Sequence, residues 1–248
     1  MSEKIKIFFS FKILCGKIVD DWFEGANQAL ANQTTFNVGL SGGRTPLYVF
    51  QYLTEFEKWK IIPWNIVHIF WVDERCVELD HSESNYQLIY NLMLKDISIP
   101  EENIHRIHGE NDPLFEAGRY EDELIKHFAL GSGEKPSLDW IFLGVGLDGH
   151  IASIFPGSVF KNSPSQFCGT TTHPDTGQNR ISLSLLVINA SKRITVMVAG
   201  QDKAAIVSRI LNSPSENRGL PAGKIRPLTG NVEWALDELA ASQLEKYT

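Results

Sequence analysis

The sequence predicts an α/β fold: one domain over residues 1–248, built on a mainly parallel sheet flanked by helices on both faces. Three observations carry this expectation. Short β-rich runs alternate with longer segments of helical period along the chain. With 248 residues, 43% of them apolar and 21% charged, there is enough apolar material for one sizeable core. No internal repeat or low-complexity tract divides it. Strands that alternate with helices pair in parallel, because each crossover helix returns the chain to the same end of the sheet and covers a face on the way.

The elements follow in order. "IKIFF" near the start reads as a strand and residues 12–31 as a helix; "FNVGL" precedes a helical stretch over 46–58, and "IVHIFWV" precedes another over 84–95. "LDWIFLGVG" is the next strand, "RISLSLLVI" and "RITVMVAG" read as two more, "DKAAIVSRIL" as a helix, and "VEWALDELAASQL" as a closing helix. Glycine-, serine- and proline-rich stretches at 131–137, 156–170 and 212–223 read as loops. The stretch 156–180 is long enough to serve as a binding loop or lid.

Composition narrows the class of protein. A formal net charge of −7 argues against a general nucleic-acid binder, so an anionic ligand must be held by local cations and backbone amides. Three scattered cysteines, Cys15, Cys76 and Cys168, suit reduced thiols in a cytoplasmic compartment. The opening "MSEKIKIFFSFKIL" is interrupted by lysines and resembles a strand rather than a signal peptide, and no run approaches the roughly 18 apolar residues of a membrane span. A soluble, cytoplasmic protein without membrane or nucleic-acid partners is expected. Oligomeric state is left open between monomer and weak dimer.

In open α/β sheets ligands bind beyond the carboxyl ends of the strands, and three polar constellations fall there. In "NVGLSGGRTPLYVF", Ser41, Gly42 and Gly43 turn sharply, and Thr45-Pro46 reads as an N-cap followed by a proline at the first helical position. Such a turn aims free N–H groups and a positive dipole end at one point, which suits a small phosphoryl group; plain packing of strand on helix is the competing reading. In "IFWVDERCVELDHSESNY", Asp73, Glu74 and Arg75 leave an apolar strand together, where charge is costly unless solvated or paired; Arg75 offers a planar fork for phosphate or carboxylate. Cys76 beside it reads as a packing residue. In "LGVGLDGHIASIFPGS", His150 follows a glycine turn, two residues from Asp148, where a neutral imidazole could take a proton from water. Lys203, in "VMVAGQDKAAIVSRIL", sits in the first turn of a helix and opposes its dipole, which an anion would offset. His105 and His108 are spaced i,i+3 but have neither a nearby acidic ligand nor a cysteine pair, so no metal site is expected.

The blocks "SGGRTP", "WVDER" followed by "SESNY", "LGVGLDGHIASIFPG", "VAGQDKA" and "LPAGKIRPLTGNVEWALDELAA" together resemble the 6-phosphogluconolactonase family, in that family's order, over about residues 36–241. The resemblance implies a Rossmann-like sheet shared with glucosamine-6-phosphate deaminases. The deaminase pattern places a glutamate directly before the proline, where this chain has Phe155, and a tyrosine after Asp-Glu, where it has Arg75. Two positions depart from the lactonase pattern: Ile151, where threonine is common, and Gly223 in the "LPAGK" block. The resemblance further implies a sugar-phosphate lactone as substrate and no cofactor or metal. Ser41, Gly42 and Gly43 would bind the phosphate with Arg75 and Lys203, Arg44 being a possible further contributor. His150 would be the general base, with Asp148 or Asp73 in support. A deaminase, or a sugar-phosphate sensor without catalysis, are the rival readings.

Overall fold

The computed structural model describes residues 3–160, 167–212, 219–227 and 229–245. From the amino end, strand β1 (Glu3–Phe8) leads into helix α1 (Phe11–Ala31), β2 (Phe36–Leu40), α2 (Arg44–Leu53) and the short α3 (Glu57–Lys60). Then come β3 (Val67–Trp71), β4 (Asp73–Arg75), α4 (Asn85–Leu92), β5 (Ile104–His105) and α5 (Pro113–His127). The carboxyl half holds β6 (Trp140–Leu143), β7 (Cys168–Thr172), β8 (Asn179–Leu183), α6 (Leu185–Ala190), β9 (Arg193–Val198), α7 (Ala204–Asn212), β10 (Asn231–Asp237) and α8 (Glu238–Ala241).

Seven strands form one sheet in the order β1-β10-β9-β6-β2-β3-β5, with parallel pairing throughout. Every residue of β2 and of β6 is buried. Successive side chains of a strand point to opposite faces, so both faces of the sheet are covered, and the α/β expectation holds. On α1, Leu14, Cys15, Ile18, Val19, Trp22, Ala26 and Ala29 are buried at helical spacing; Trp22 lies within 6.4 Å, centroid to centroid, of Phe36, Trp59, Trp64, Trp140 and Phe142. A second, antiparallel sheet, β4-β8-β7, stands beside the first.

Several sequence expectations change; the helical stretch expected over 46–58 breaks after Leu53 and resumes as α3. "VEWALD" is not helical: β10 inserts between β1 and β9, pairing with both, and only the four-residue α8 follows it, capped by Asp237. "RISLSLLVI" changes state after Leu183, because β8 ends against β4 and β7 and the remaining apolar residues form α6. The stretch 156–180 contains β7 and the start of β8; its residues 161–166 lie outside the described residues. Helix α2 begins at Arg44 with Gly43 as its N-cap, so Thr45 does not cap it and Pro46 is its third residue. Among the described residues, no helix is long and apolar enough to cross a membrane.

Candidate active site

A cleft of about 500 Å³ opens at the carboxyl ends of four adjacent strands, β9, β6, β2 and β3. Its walls include all nine expected site residues: Ser41, Gly42, Gly43, Arg44, Asp73, Arg75, Asp148, His150 and Lys203. Each strand contributes through the turn that follows it, which is where a parallel sheet leaves its ligand edge open. The volume falls in the ordinary range for small-molecule sites, about 300–1,000 Å³.

The turn after β6 carries the acid–base candidates. Asp148 Oδ1 lies 2.6 Å from His150 Nδ1 and also accepts the His150 backbone N–H at 3.1 Å. A carboxylate at Nδ1 fixes the proton there and leaves the lone pair on Nε2. The two side chains are 30% and 40% exposed, so solvent reaches the pair. The sequence left Asp148 and Asp73 open as supports, and contact with the imidazole belongs to Asp148. Asp73 is buried, and its Oδ2 accepts from Ser153 Oγ at 2.7 Å, tying β4 to the segment just beyond the histidine. The Phe155 ring packs between His150 and His173, with centroids 4.9 and 5.0 Å away. The late "LPAGK" block backs this turn, since Ala222 N–H donates to Gly149 O, and Gly223 lies in a short 3-10 turn.

Two glycines that line the cleft, Gly42 and Gly146, are required by close approach. A Cβ on Gly146 would overlap the His150 ring and stand 2.6 Å from Asp148 Oδ1. A Cβ on Gly42 would overlap the Asn85 carboxamide. Asn85 is fully buried and donates through Nδ2 to Asp73 O at 2.9 Å, so the turn after β2 is pressed against the start of α4.

The cations are held in different ways. Lys203 Nζ donates to Val145 O at 2.8 Å, which brings the turn after β9 onto the histidine turn. Burial is the main cause that lowers its pKa, the positive charge of Arg44 adds to this, and Asp202 and Asp148 oppose it. Arg44 pairs with Asp202 at 2.6 Å on the exposed rim. Arg75 spends Nη1 on Glu83 O at 2.6 Å. In the β4–β8 register Arg75 faces Arg180, a buried arginine whose Nε and Nη1 have no hydrogen-bond partner among the described residues; burial and the charge of Arg75 lower its pKa.

Glu74, the middle of the charged triplet, points away from solvent. Its carboxylate accepts the backbone N–H groups of Arg75, Asn85 and Tyr86 and the Ser84 hydroxyl, at 2.7–3.3 Å. Burial raises its pKa to about 7, against the lowering effect of those N–H donors. It thus fixes the start of α4, and Arg75 and Asn85 with it. Cys76 is half-buried and its thiol is pushed up to about 11 by desolvation, which fits packing rather than attack.

Sequence reasoning missed Asn85, Asp202 and the hairpin residues His173, Pro174 and Asp175, all of which line the cleft. Asn85 stood inside the quoted "SESNY", and Asp202 directly precedes Lys203. The hairpin residues were hidden in a stretch read as loop; their approach depends on the antiparallel pairing of β7 with β8.

Comparison with known proteins places the chain in a family. The profile of the family described as glucosamine-6-phosphate isomerases/6-phosphogluconolactonase matches residues 12–234. A 6-phosphogluconolactonase of Haemophilus influenzae is 41% identical over 208 residues, covering 84% of this chain and 87% of that protein. The crystal structure of a devB protein superposes with a TM-score of 0.88 at 37% identity, over 98% of this chain and 99% of that one. The structure of 6-phosphogluconolactonase from Thermotoga maritima gives a TM-score of 0.78 at 26% identity, over 95% and 100%.

Proposed function

The chain belongs to the glucosamine-6-phosphate isomerase/6-phosphogluconolactonase family, and within it we propose that this protein hydrolyses 6-phospho-D-glucono-1,5-lactone to 6-phosphogluconate, the lactone step of the oxidative pentose phosphate pathway. The observation that carries the reading is Phe155. A buried phenyl ring packs on His150 at the position where the deaminase pattern supplies a glutamate, so the histidine has Asp148 as its hydrogen-bonded carboxylate and no relay for ring opening.

The chemistry follows from the cleft. The substrate phosphate is held by the N–H groups and hydroxyl of Ser41, Gly42 and Gly43 at the start of α2, with Lys203 and Arg75 balancing charge and Arg44 at the rim. His150 Nε2 takes a proton from water as the oxygen attacks C1, and Asp148 stabilises the imidazolium that forms. The tetrahedral oxyanion then collapses, the C1–O5 bond breaks, and the imidazolium returns its proton to O5. The products are a carboxylic acid, which ionises, and a free hydroxyl. A lactone carbonyl is already electrophilic, so this route uses only the side chains named. The chain acts as one domain, the β4-β8-β7 sheet closing one wall of the cleft, in the cytoplasm, with a small sugar phosphate as its partner.

The test mixes pure protein with freshly prepared lactone and follows acid release above the spontaneous rate. Enzymatic acid release that fails with the unphosphorylated lactone is the expected result. Ammonia release from glucosamine 6-phosphate, or tight sugar-phosphate binding without turnover, would replace this reading with the deaminase or the sensor.

A further inference from the structure

Away from the cleft, three histidines from separate elements converge. His68 is the second residue of β3, roughly 10 Å below the strand's carboxyl end at about 3.3 Å per residue. His105 is on the edge strand β5, and His127 ends α5. One ring nitrogen from each lies within 4.8 Å of the other two.

Hydrogen bonds orient the rings. Glu123 Oε1 lies 2.6 Å from His105 Nδ1, which places the proton there and turns the lone pair of Nε2 toward His68 Nδ1, 2.9 Å away. Asn37 Oδ1 lies 2.7 Å from His127 Nε2, and Asn37 Nδ2 is engaged by Thr35 and Asp139, which fixes the carboxamide's direction. The Phe70 ring stacks on His105 at 4.2 Å and walls the cluster on that side. His105 is buried, whereas His68 and His127 are half-exposed and leave a way in from solvent.

We propose that His68, His105 and His127 bind one divalent transition-metal ion of the zinc type, with Glu123 as the carboxylate that orients His105. Three imidazoles from three elements form a nitrogen-donor set suited to zinc, nickel, copper or cobalt rather than magnesium or calcium. Zinc–nitrogen bonds of about 2.0–2.1 Å in a tetrahedron separate nitrogens by about 3.4 Å. The His68–His105 pair would therefore open by about half an ångström and the widest pair close by somewhat more than one, small turns of the rings that leave a fourth position to water. The other Glu123 oxygen is engaged by Arg119, which keeps this carboxylate in its orienting role. A bound ion would clip the two-residue β5 to β3 and α5.

The test is isothermal titration of the full chain, stripped by chelator, with zinc alone. The site predicts one zinc per chain, a rise in unfolding temperature with zinc, and at least about 10–100-fold weaker binding in both His68→Gln and His127→Gln. His150→Ala, in the cleft, should keep the binding. Cobalt provides a readout on the parent protein that needs no variant: its visible spectrum should show low-symmetry, nitrogen-ligated cobalt. Absence of a one-to-one isotherm, or zinc binding that survives His68→Gln and His127→Gln and disappears in His150→Ala, would overturn the site.

Discussion

Replacing Gly146 with alanine should disable the histidine while leaving the fold intact. Gly146 is not among the residues at positive φ, so its backbone accepts a side chain. The added Cβ, however, would overlap His150 at Nδ1 and Cε1 and stand 2.6 Å from Asp148 Oδ1. Ordinary contact begins near 3.4 Å, so the carboxylate alone must retreat by about 0.8 Å and the ring by more. The hydrogen-bonded pair, 2.6 Å apart, must therefore leave the position it holds over the cleft. A misplacement of about 1 Å at the reacting group is worth about 10²-fold, within the 10²–10⁴-fold that a general base supplies in all. Gly146→Ala should therefore lower kcat about 100-fold, with KM and the melting temperature nearly unchanged. Steady-state acid release in a pH-stat, beside a thermal melt, reads both. Parent-level kcat would refute the geometric argument, because it would mean that the pair as placed here is not what does the work.

Lys203→Met would remove the proposed charge-assisted contact with phosphate, worth roughly 1.5–3 kcal/mol, and should lower kcat/KM about 10–150-fold, mostly through KM; competition by 6-phosphogluconate measures it. Glu74→Gln turns an amide NH₂ toward N–H donors and should destabilise by about 1–3 kcal/mol, seen as a lower urea midpoint. Acid should weaken the fold. His68 and His127 sit near pKa 4, below their ordinary 6.5, so the unfolded chain binds more protons between those values, and stability present above pH 6.5 is lost as pH falls toward 4. Glu74 works the other way: raised from 4.5 to about 7, it contributes stability at low pH that is lost as pH rises through 7, so Glu74→Gln should steepen the acid loss in urea titrations at pH 7.5 and 4.5.

What was legible in the sequence is what local chemistry dictates. Apolar runs such as "FNVGL" and "WIFL" that end in glycine turns marked the strands and the ligand edge, so Ser41, Asp148, His150 and Lys203 could be placed before any fold was drawn. "VEWALD" misled because its buried apolar residues Val232, Ala235 and Leu236 fall at helical spacing, while its neighbours β1 and β9 are distant in sequence. Helix α5 carries a local signal of its own, Asp112 as its cap and Pro113 at its first position. Asn85 and His173 reach the cleft through contacts no spacing reveals: one lies behind a glycine 43 positions earlier, and the other sits on an antiparallel hairpin. His105 likewise meets His68 and His127 only through the sheet order and the packing of α5.

Under the proposed mechanism labour is divided: the imidazole at 150 activates water and the donors at 41–43, 75 and 203 hold the phosphate. Measuring kcat and product affinity together in His150→Ala tests it most directly. In this variant kcat should fall about 10²–10⁴-fold with 6-phosphogluconate bound as tightly as by the parent. An unchanged kcat, or a loss of affinity that matches the loss of rate, would contradict it.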